Sequence, residues 1–390
     1  MIPTLTGPQL FLLFVPFLTA MIVVFLSHPV FVKLSKRHNA LDNPNWRKKH
    51  TKPIPLLGGP TIFMGFVAGM LASDAVLDCS PLFVSVNALF FVLYIGLLDD
   101  LVGLRVGVRL LLETIVAAIL IYLEGTLINN FDGMWGIYQI PLWLSIPITI
   151  VACVGIINAM NLIDGVDGLS SGFAIWACGI FGCIFFLSND LVSLMLAVVM
   201  IGSMLPFFIH NLFGEKSKMF LGDGGALVVG LLLSLFVVRV MKFGNPTSEM
   251  DPNIGFAALT LAIMSHPVFD TLRVMFSRIF RGRPPFAPDR THLHHAFLGN
   301  RFSHYGTTLS ILFICLLNLV AWWISYRLLL SDEGQLYVVV AVALVNNVGV
   351  YWVLTKCRAK KVRRLIIRLA YLSHPSKSGF YQSIRSLVDR

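Results

Sequence analysis

Asn158, Asn161, Asp164 and Asp167 recur every third residue in the run Asn158-Ala-Met-Asn161-Leu-Ile-Asp164-Gly165-Val-Asp167-Gly168, at the end of an otherwise apolar stretch. Spacing of three keeps neighbouring members on one side of a helix. Gly165 and Gly168 break that helix and let backbone approach a ligand. Carboxylates and carboxamides at the edge of hydrocarbon are costly and mark function, and their oxygens suit a hard cation such as Mg²⁺. Capping the helix end would take one or two such residues, not four with two glycines.

Four further segments carry polar groups in an apolar setting. Leu97-Leu98-Asp99-Asp100 ends one helix and is followed by Arg105 and Arg109; adjacent carboxylates repel, and a cation or a nearby arginine relieves them. Phe220-Leu-Gly222-Asp223-Gly224-Gly225 precedes a long apolar run, which puts Asp223 at or near a helix N-terminus. An N-cap explains the aspartate but not the three glycines. In Arg281 to His295, arginines beside prolines present forked donors to phosphate, and His292, His294 and His295 fall within four positions. Histidines also bind transition metals, but a zinc site would want further ligands, and none is evident. Asn211 follows His210 at a helix end, where its amide either reads a base edge or caps the helix. The basic first loop, Asp42 to Gly59, reads chiefly as a topology signal. Glu113, alone inside an apolar run, reads as a packing contact, and the six cysteines have no metal spacing.

These groups must be held by helices in a bilayer. The 390 residues are 56% hydrophobic and only 13% charged, with a mean hydropathy of +0.79, against roughly 25% charged in a soluble domain. Apolar runs fall near 9–27, 60–76, 83–98, 106–123, 141–159, 170–188, 191–209, 222–241, 254–271, 307–328 and 336–355, each compared with a hydrocarbon core of about 30 Å. The first run lacks a charged leading region and a small-residue cleavage site, so it reads as a span and not as a cleaved signal. The expectation is an all-α, polytopic membrane protein of about eleven transmembrane helices, with 1–355 as one domain and 356–390 as a basic tail near anionic lipid. Of the 30 basic residues, 27 fall on one face and Arg239, Lys242 and Arg327 on the other. The basic face is therefore cytoplasmic, with the N-terminus outside and the C-terminus inside. All the clustered acids and histidines share that face. The net charge of +10 is positive-inside bias and not a nucleic-acid footprint. No internal repeat is visible, which disfavours a transporter, the rival reading.

Taken together, Pro44 to His50 with Gly58-Gly59, Asp99-Asp100, Asn158 to Leu169, Phe220 to Gly225, and Pro285 to Arg290 with His292-Leu-His294-His295 resemble the polyprenyl-phosphate N-acetylhexosamine-1-phosphate transferase family, in the order that the family uses. The likeness is closest to its bacterial undecaprenyl-phosphate GlcNAc-1-phosphate transferases and covers about two-thirds of the chain. It implies helices around a cytoplasm-facing catalytic cleft in a bacterial inner membrane. Undecaprenyl phosphate would receive GlcNAc-1-phosphate from UDP-GlcNAc, or from another UDP-N-acetylhexosamine, as the first lipid-linked sugar of a cell-envelope polysaccharide. The resemblance implies Mg²⁺, with Mn²⁺ as a substitute, held mainly by Asp223 with help from Asn161. Phe220 and Asn211 match positions near the uracil, and Arg109 a basic position near phosphate. Arg290, His292, His294 and His295 match a loop that grips the diphosphate. Asp99 and Asp100 are assigned to the lipid phosphate or its proton, and Asp164 and Asp167 to the nucleotide and the orientation of the site. A homodimer is compatible with this reading. Two departures stand out: Gly103 replaces a polar residue frequent four positions after the first aspartate, and the three histidines are not consecutive, unlike the muramoyl-pentapeptide branch.

Overall fold

The computed structural model describes residues 7–42, 52–74, 82–131, 133–244, 250–285, 290–374 and 379–389. The Pro44–His50 motif, Cys79 and the stretch 286–289 lie outside the described residues. The described residues are mostly helical, because a backbone in lipid must satisfy its own hydrogen bonds. The first half comprises α1 (Gly7–Arg37), α2 (Gly58–Asp74), α3 (Phe83–Val102), α4 (Val106–Glu124), α5 (Leu142–Ile163), α6 (Leu169–Leu187), α7 (Leu191–Phe213) and α8 (Gly222–Met241). Before α2, two short strands, β1 (Leu41–Asp42) and β2 (Ile54–Pro55), pair antiparallel, with Leu41 opposite Pro55. After α8 come α9 (Phe256–Ile263), α10 (Ser265–Ile279), α11 (Leu293–Gly299), α12 (His304–Arg327), α13 (Asp332–Leu344) and α14 (Val350–Lys356). Two tail helices, α15 (Lys360–Leu372) and α16 (Gly379–Val388), follow.

Among the described residues, nine helical stretches are long and apolar enough to cross a membrane, not eleven. The two differences have physical causes. α2 has 17 described residues, at the lower limit for a span. The run 254–271 looks continuous by hydropathy, yet it breaks at Met264 into α9 and α10. There Ser265, His266 and Pro267 interrupt the apolar pattern, and proline has no N–H to continue the backbone ladder. Neighbouring helices supply partners to two side chains at this break: Asn318 donates to Ser265 Oγ at 2.9 Å, and His266 Nδ1 lies 2.9 Å from Asn347 Oδ1 in a π-helical turn, Val345–Gly349.

α8 is the axis of the molecule, and nearly all of its residues are buried. It is hydrophobic all round, as a helix that meets protein on every side must be. Glycines bring its neighbours close. A Cβ at Gly96 of α3 would lie 2.4 Å from Gly224, and one at Gly230 would lie 2.6 Å from Ile157 of α5. Small residues at such crossings let backbones approach. The C-terminal ends of α3 and α5 therefore flank the N-terminus of α8. At the far end of the same helices, Arg239 pairs with Glu124 at 3.2 Å and donates to Ser193 Oγ at 2.7 Å. That arrangement closes the other side of the bundle with a structural ion pair.

Candidate active site

The polar residues at the end of α3, the start of α4, the end of α5 and the start of α8 meet around Arg109. Its Nη1 donates to Asp99 Oδ2 at 2.8 Å and lies 3.5 Å from Asp223 Oδ2. Its Nη2 donates to Asn158 Oδ1 at 3.3 Å, and Nε lies 3.5 Å from Glu113 Oε1. Asn158 donates in turn to Glu113. One guanidinium thus faces three carboxylates, a task suited to its fixed fork of donors. Glu113, read from the sequence as a packing contact, is a fully buried member of this network.

Asp99 and Asp100 point to different tasks. Asp99 accepts from Arg109 and from the Leu104 N–H at 2.8 Å. Asp100 accepts the N–H groups of Asp223 and Gly224 at 3.1 and 3.3 Å, so it caps α8. Asp223 sits one residue inside that helix with its carboxylate 33% exposed, against 11% for Asp99 and none for Glu113. Asp223 is the carboxylate that opens outward.

Asn161 stands beside the Asp223 carboxylate and interacts with it, although its buried Nδ2 meets no partner at full hydrogen-bond geometry. Turning that amide over would aim Oδ1, an oxygen donor, at the same position. No group of three or more His, Cys, Asp or Glu among the described residues could hold a metal by itself. This donor set fits Mg²⁺, which takes one or two protein oxygens and completes its shell with substrate phosphates and water. It does not form a zinc cage.

The turn after α5 carries the other two aspartates. Asp164 ends α5 and accepts from Ser170; burial pushes its carboxyl up to about 7, and the charges of Asp223 and Asp167 add to that. Asp167 is gripped from three sides. Lys218 pairs with it, His304 Nδ1 lies 2.9 Å from its Oδ2, and Thr308 donates to its backbone carbonyl at 2.9 Å. Burial opposes its ionisation, but the hydrogen bond and charge of His304, with Lys218, hold it below the ordinary carboxylate range. A cavity of about 1130 Å³ opens here, lined by Lys36, Lys52, Asp167, Lys218, His304 and Tyr305 among others. Lys218 also stands 5.7 Å from the ring centre of Phe220. Asn211 is buried; its Oδ1 accepts the Gly168 N–H and its Nδ2 donates to the Met219 carbonyl at 2.8 Å. It braces the Asp167 turn against the segment leading into α8.

The histidines form a third group. His292 Nδ1 lies 2.8 Å from Asp270 Oδ2, while Asp270 Oδ1 accepts the Leu293 N–H at 3.0 Å. Arg273 donates to Asp270 at 2.7 Å and to the Thr291 carbonyl at 2.6 Å, with its guanidinium 3.8 Å from the Tyr351 ring centre. The His292 and His294 rings stack, and His295 lies 4.3 Å from His294 between centroids. His294 is buried against the Asp164 turn: a Cβ at Gly165 would stand 2.7 Å from its Nε2. Burial, and then the neighbouring His295 and His292, lower its pKa well below the ordinary value, so it is a neutral ring at pH 7. Arg290 is exposed at the entrance to this loop. Asp270, Arg273, Lys218 and His304 had drawn no role from sequence. The signal for the first two was an acid and an arginine three apart on a helix whose apolar pattern had already broken.

These features gather charged and polar groups at the ends of membrane-length helices, and comparison with known proteins says what kind of protein carries them. Residues 82–241 match the family described as Glycosyl transferase family 4. The chain is 32% identical over 302 residues to a probable undecaprenyl-phosphate N-acetylglucosaminyl 1-phosphate transferase of Bacillus subtilis (strain 168), covering 77% of this chain and 81% of that protein. It is 27% identical over 290 residues to the undecaprenyl-phosphate alpha-N-acetylglucosaminyl 1-phosphate transferase of Yersinia pestis, covering 74% and 76%. The Escherichia coli (strain K12) protein with the same description is 26% identical over 292 residues, covering 73% and 77%. The chain belongs to the polyprenyl-phosphate N-acetylhexosamine-1-phosphate transferase family. It is a phospho-sugar transferase built into a membrane.

Proposed function

We propose that this protein transfers GlcNAc-1-phosphate from UDP-GlcNAc to undecaprenyl phosphate and releases UMP. An oxygen of the lipid phosphate forms a bond to the β-phosphorus of the donor. The bond from that phosphorus to the α–β bridging oxygen breaks, and UMP leaves with the electron pair. Such transfers need positioning and charge neutralisation more than covalent help. The observation that carries the proposal is Arg109, which holds Asp99 and directs itself at Asp223 where α8 begins.

In this reading Asp223 and Asn161 hold Mg²⁺, or Mn²⁺ in its place, and the cation would neutralise charge on the diphosphate. Arg109 and Asp99 set the place of the lipid phosphate, with Asp100 keeping α8 in position. Asp164 and Asp167 orient the nucleotide side of the site, and Lys218 and Phe220 would meet the base and its ribose. Arg290 and the three histidines face the diphosphate. The excess of basic residues on this face, 27 of 30, supports a cytoplasmic site in a bacterial inner membrane.

The test uses purified protein in bilayers holding undecaprenyl phosphate, with UDP-GlcNAc, UDP-GalNAc and UDP-MurNAc-pentapeptide as separate donors. UMP and lipid-linked GlcNAc-1-phosphate should appear in equal amounts with the first, and chelation of Mg²⁺ should stop both. Preference for another donor would change the sugar assigned here, and no lipid product with any donor would refute the function.

A further inference from the structure

The tail helix α15 carries none of the site residues described above, and its sides are unlike one another. Lys361, Arg364 and Arg368 follow the spacing i, i+3, i+7 and make one stripe. Leu365, Leu369 and Leu372 make the neighbouring stripe and are 56%, 47% and 69% exposed. Ile366 and Ala370, on a third side, are buried against the body of the protein. α15 therefore stays attached while displaying both leucines and cations outward.

Charge and position say what covers it. Between Glu333 and Asp389 the chain has no acidic residue, and seven basic residues fall between Lys356 and Arg368. Among the described residues none of those seven pairs with a carboxylate. The last span ends at Lys356 and three residues separate it from α15, which puts the helix at the level of the headgroups. The hollow between them, about 260 Å³, is lined by Lys356, Arg358 and Arg363 above Ile366 and Ile367. Basic hollows and basic amphipathic helices at this depth take anionic headgroups, with apolar side chains entering the acyl boundary.

We propose that α15 lies in the membrane plane and binds the phosphate headgroups of anionic phospholipids. The contact reaches the active site by a short route. Ser303 donates its N–H to Ser373 Oγ at 3.0 Å, and its hydroxyl donates to the Ser373 carbonyl. Ser373 caps α15, and the residue after Ser303 is His304, which grips Asp167. Seating α15 on lipid thus steadies one wall of the cavity.

Hydrogen exchange on the full-length protein in nanodiscs tests this without any turnover. In phosphatidylglycerol, amides 360–372 should exchange at least about tenfold more slowly than in phosphatidylcholine, given a several-fold gain for each cation near the surface. Replacing exposed Lys361, Arg364 and Arg368 by glutamine should abolish the difference while α8 amides stay protected. A third nanodisc carries undecaprenyl phosphate in phosphatidylcholine at the same charge density. Protection there but not in phosphatidylglycerol would mean that α15 reads the substrate lipid, and the proposal would fail. Equal exchange in all three lipids, or a glutamine variant that responds like the wild type, would overturn it as well. Since exchange needs no catalysis, the result stands apart from the function proposed above.

Discussion

At Asp223 and Asp100, two carboxylates of one cluster differ in what they can do. The Asp223 carboxylate is partly exposed, whereas both oxygens of Asp100 are taken by the backbone at the head of α8. Asp223→Asn should lower turnover on the order of 10³-fold, as loss of a charge-stabilising group does, with little change in thermal stability. Asp100→Asn should instead lower stability by about 1 kcal/mol, the usual worth of a helix cap, along with activity. Thermal unfolding and initial rates on both variants distinguish the two roles; equal stability loss in both would contradict the division. Asp167 makes a pH prediction. Its carboxyl is held below its ordinary value by His304 and Lys218, so its contribution is complete above the unfolded-state pKa and disappears as pH falls through the lowered one. The stability gap between wild type and Asp167→Asn should be full at neutral pH and close in acid. A gap that widened in acid would contradict the pairing.

Two connections between elements set the geometry of the site, and only one was legible in the sequence. The three-residue spacing from Asn158 to Asp167 and the glycines around Asp223 pointed to helix ends gathered at one place, and α5 and α8 do meet there. The anchoring of the histidine loop was not visible. Asp270 sat inside what reads as an apolar run, because average hydropathy cannot show a break of one or two residues at Ser265 to Pro267. A spacing pattern also cannot reveal that Asp270, Arg273 and His292, up to 22 positions apart, are in contact. Asp270→Asn should weaken donor kcat/KM on the order of 10–100-fold, as loss of a group that orients another does, and leave KM for the lipid nearly unchanged. Equal loss toward both substrates would make Asp270 a general structural residue. Gly165→Ala should act at the second connection, since its methyl would stand 2.7 Å from His294 Nε2. The variant should lose activity while remaining folded, and wild-type rates would show that the turn and the histidine loop move independently.

At the scale of the whole molecule, α8 divides the bundle into an end with chemistry around Arg109 and an end closed by Arg239 and Glu124. In the sequence the first end was marked by the polar motifs at the helix ends, with charge bias giving only its side of the membrane, and the burial of α8 on every side explains why no periodicity marked that helix out. Cysteines placed at Arg105 and Lys216 should be labelled by reagents confined to the cytoplasmic side, and cysteines at Tyr138 and Leu329 only from outside. The reverse pattern would refute the orientation. The central claim is that the lipid phosphate attacks the β-phosphorus and not the anomeric carbon of the sugar. UDP-GlcNAc carrying a phosphorus label in the β position separates these at once. The label should move into the lipid and unlabelled UMP should be released; a labelled UDP product with an unlabelled lipid would refute attack at phosphorus.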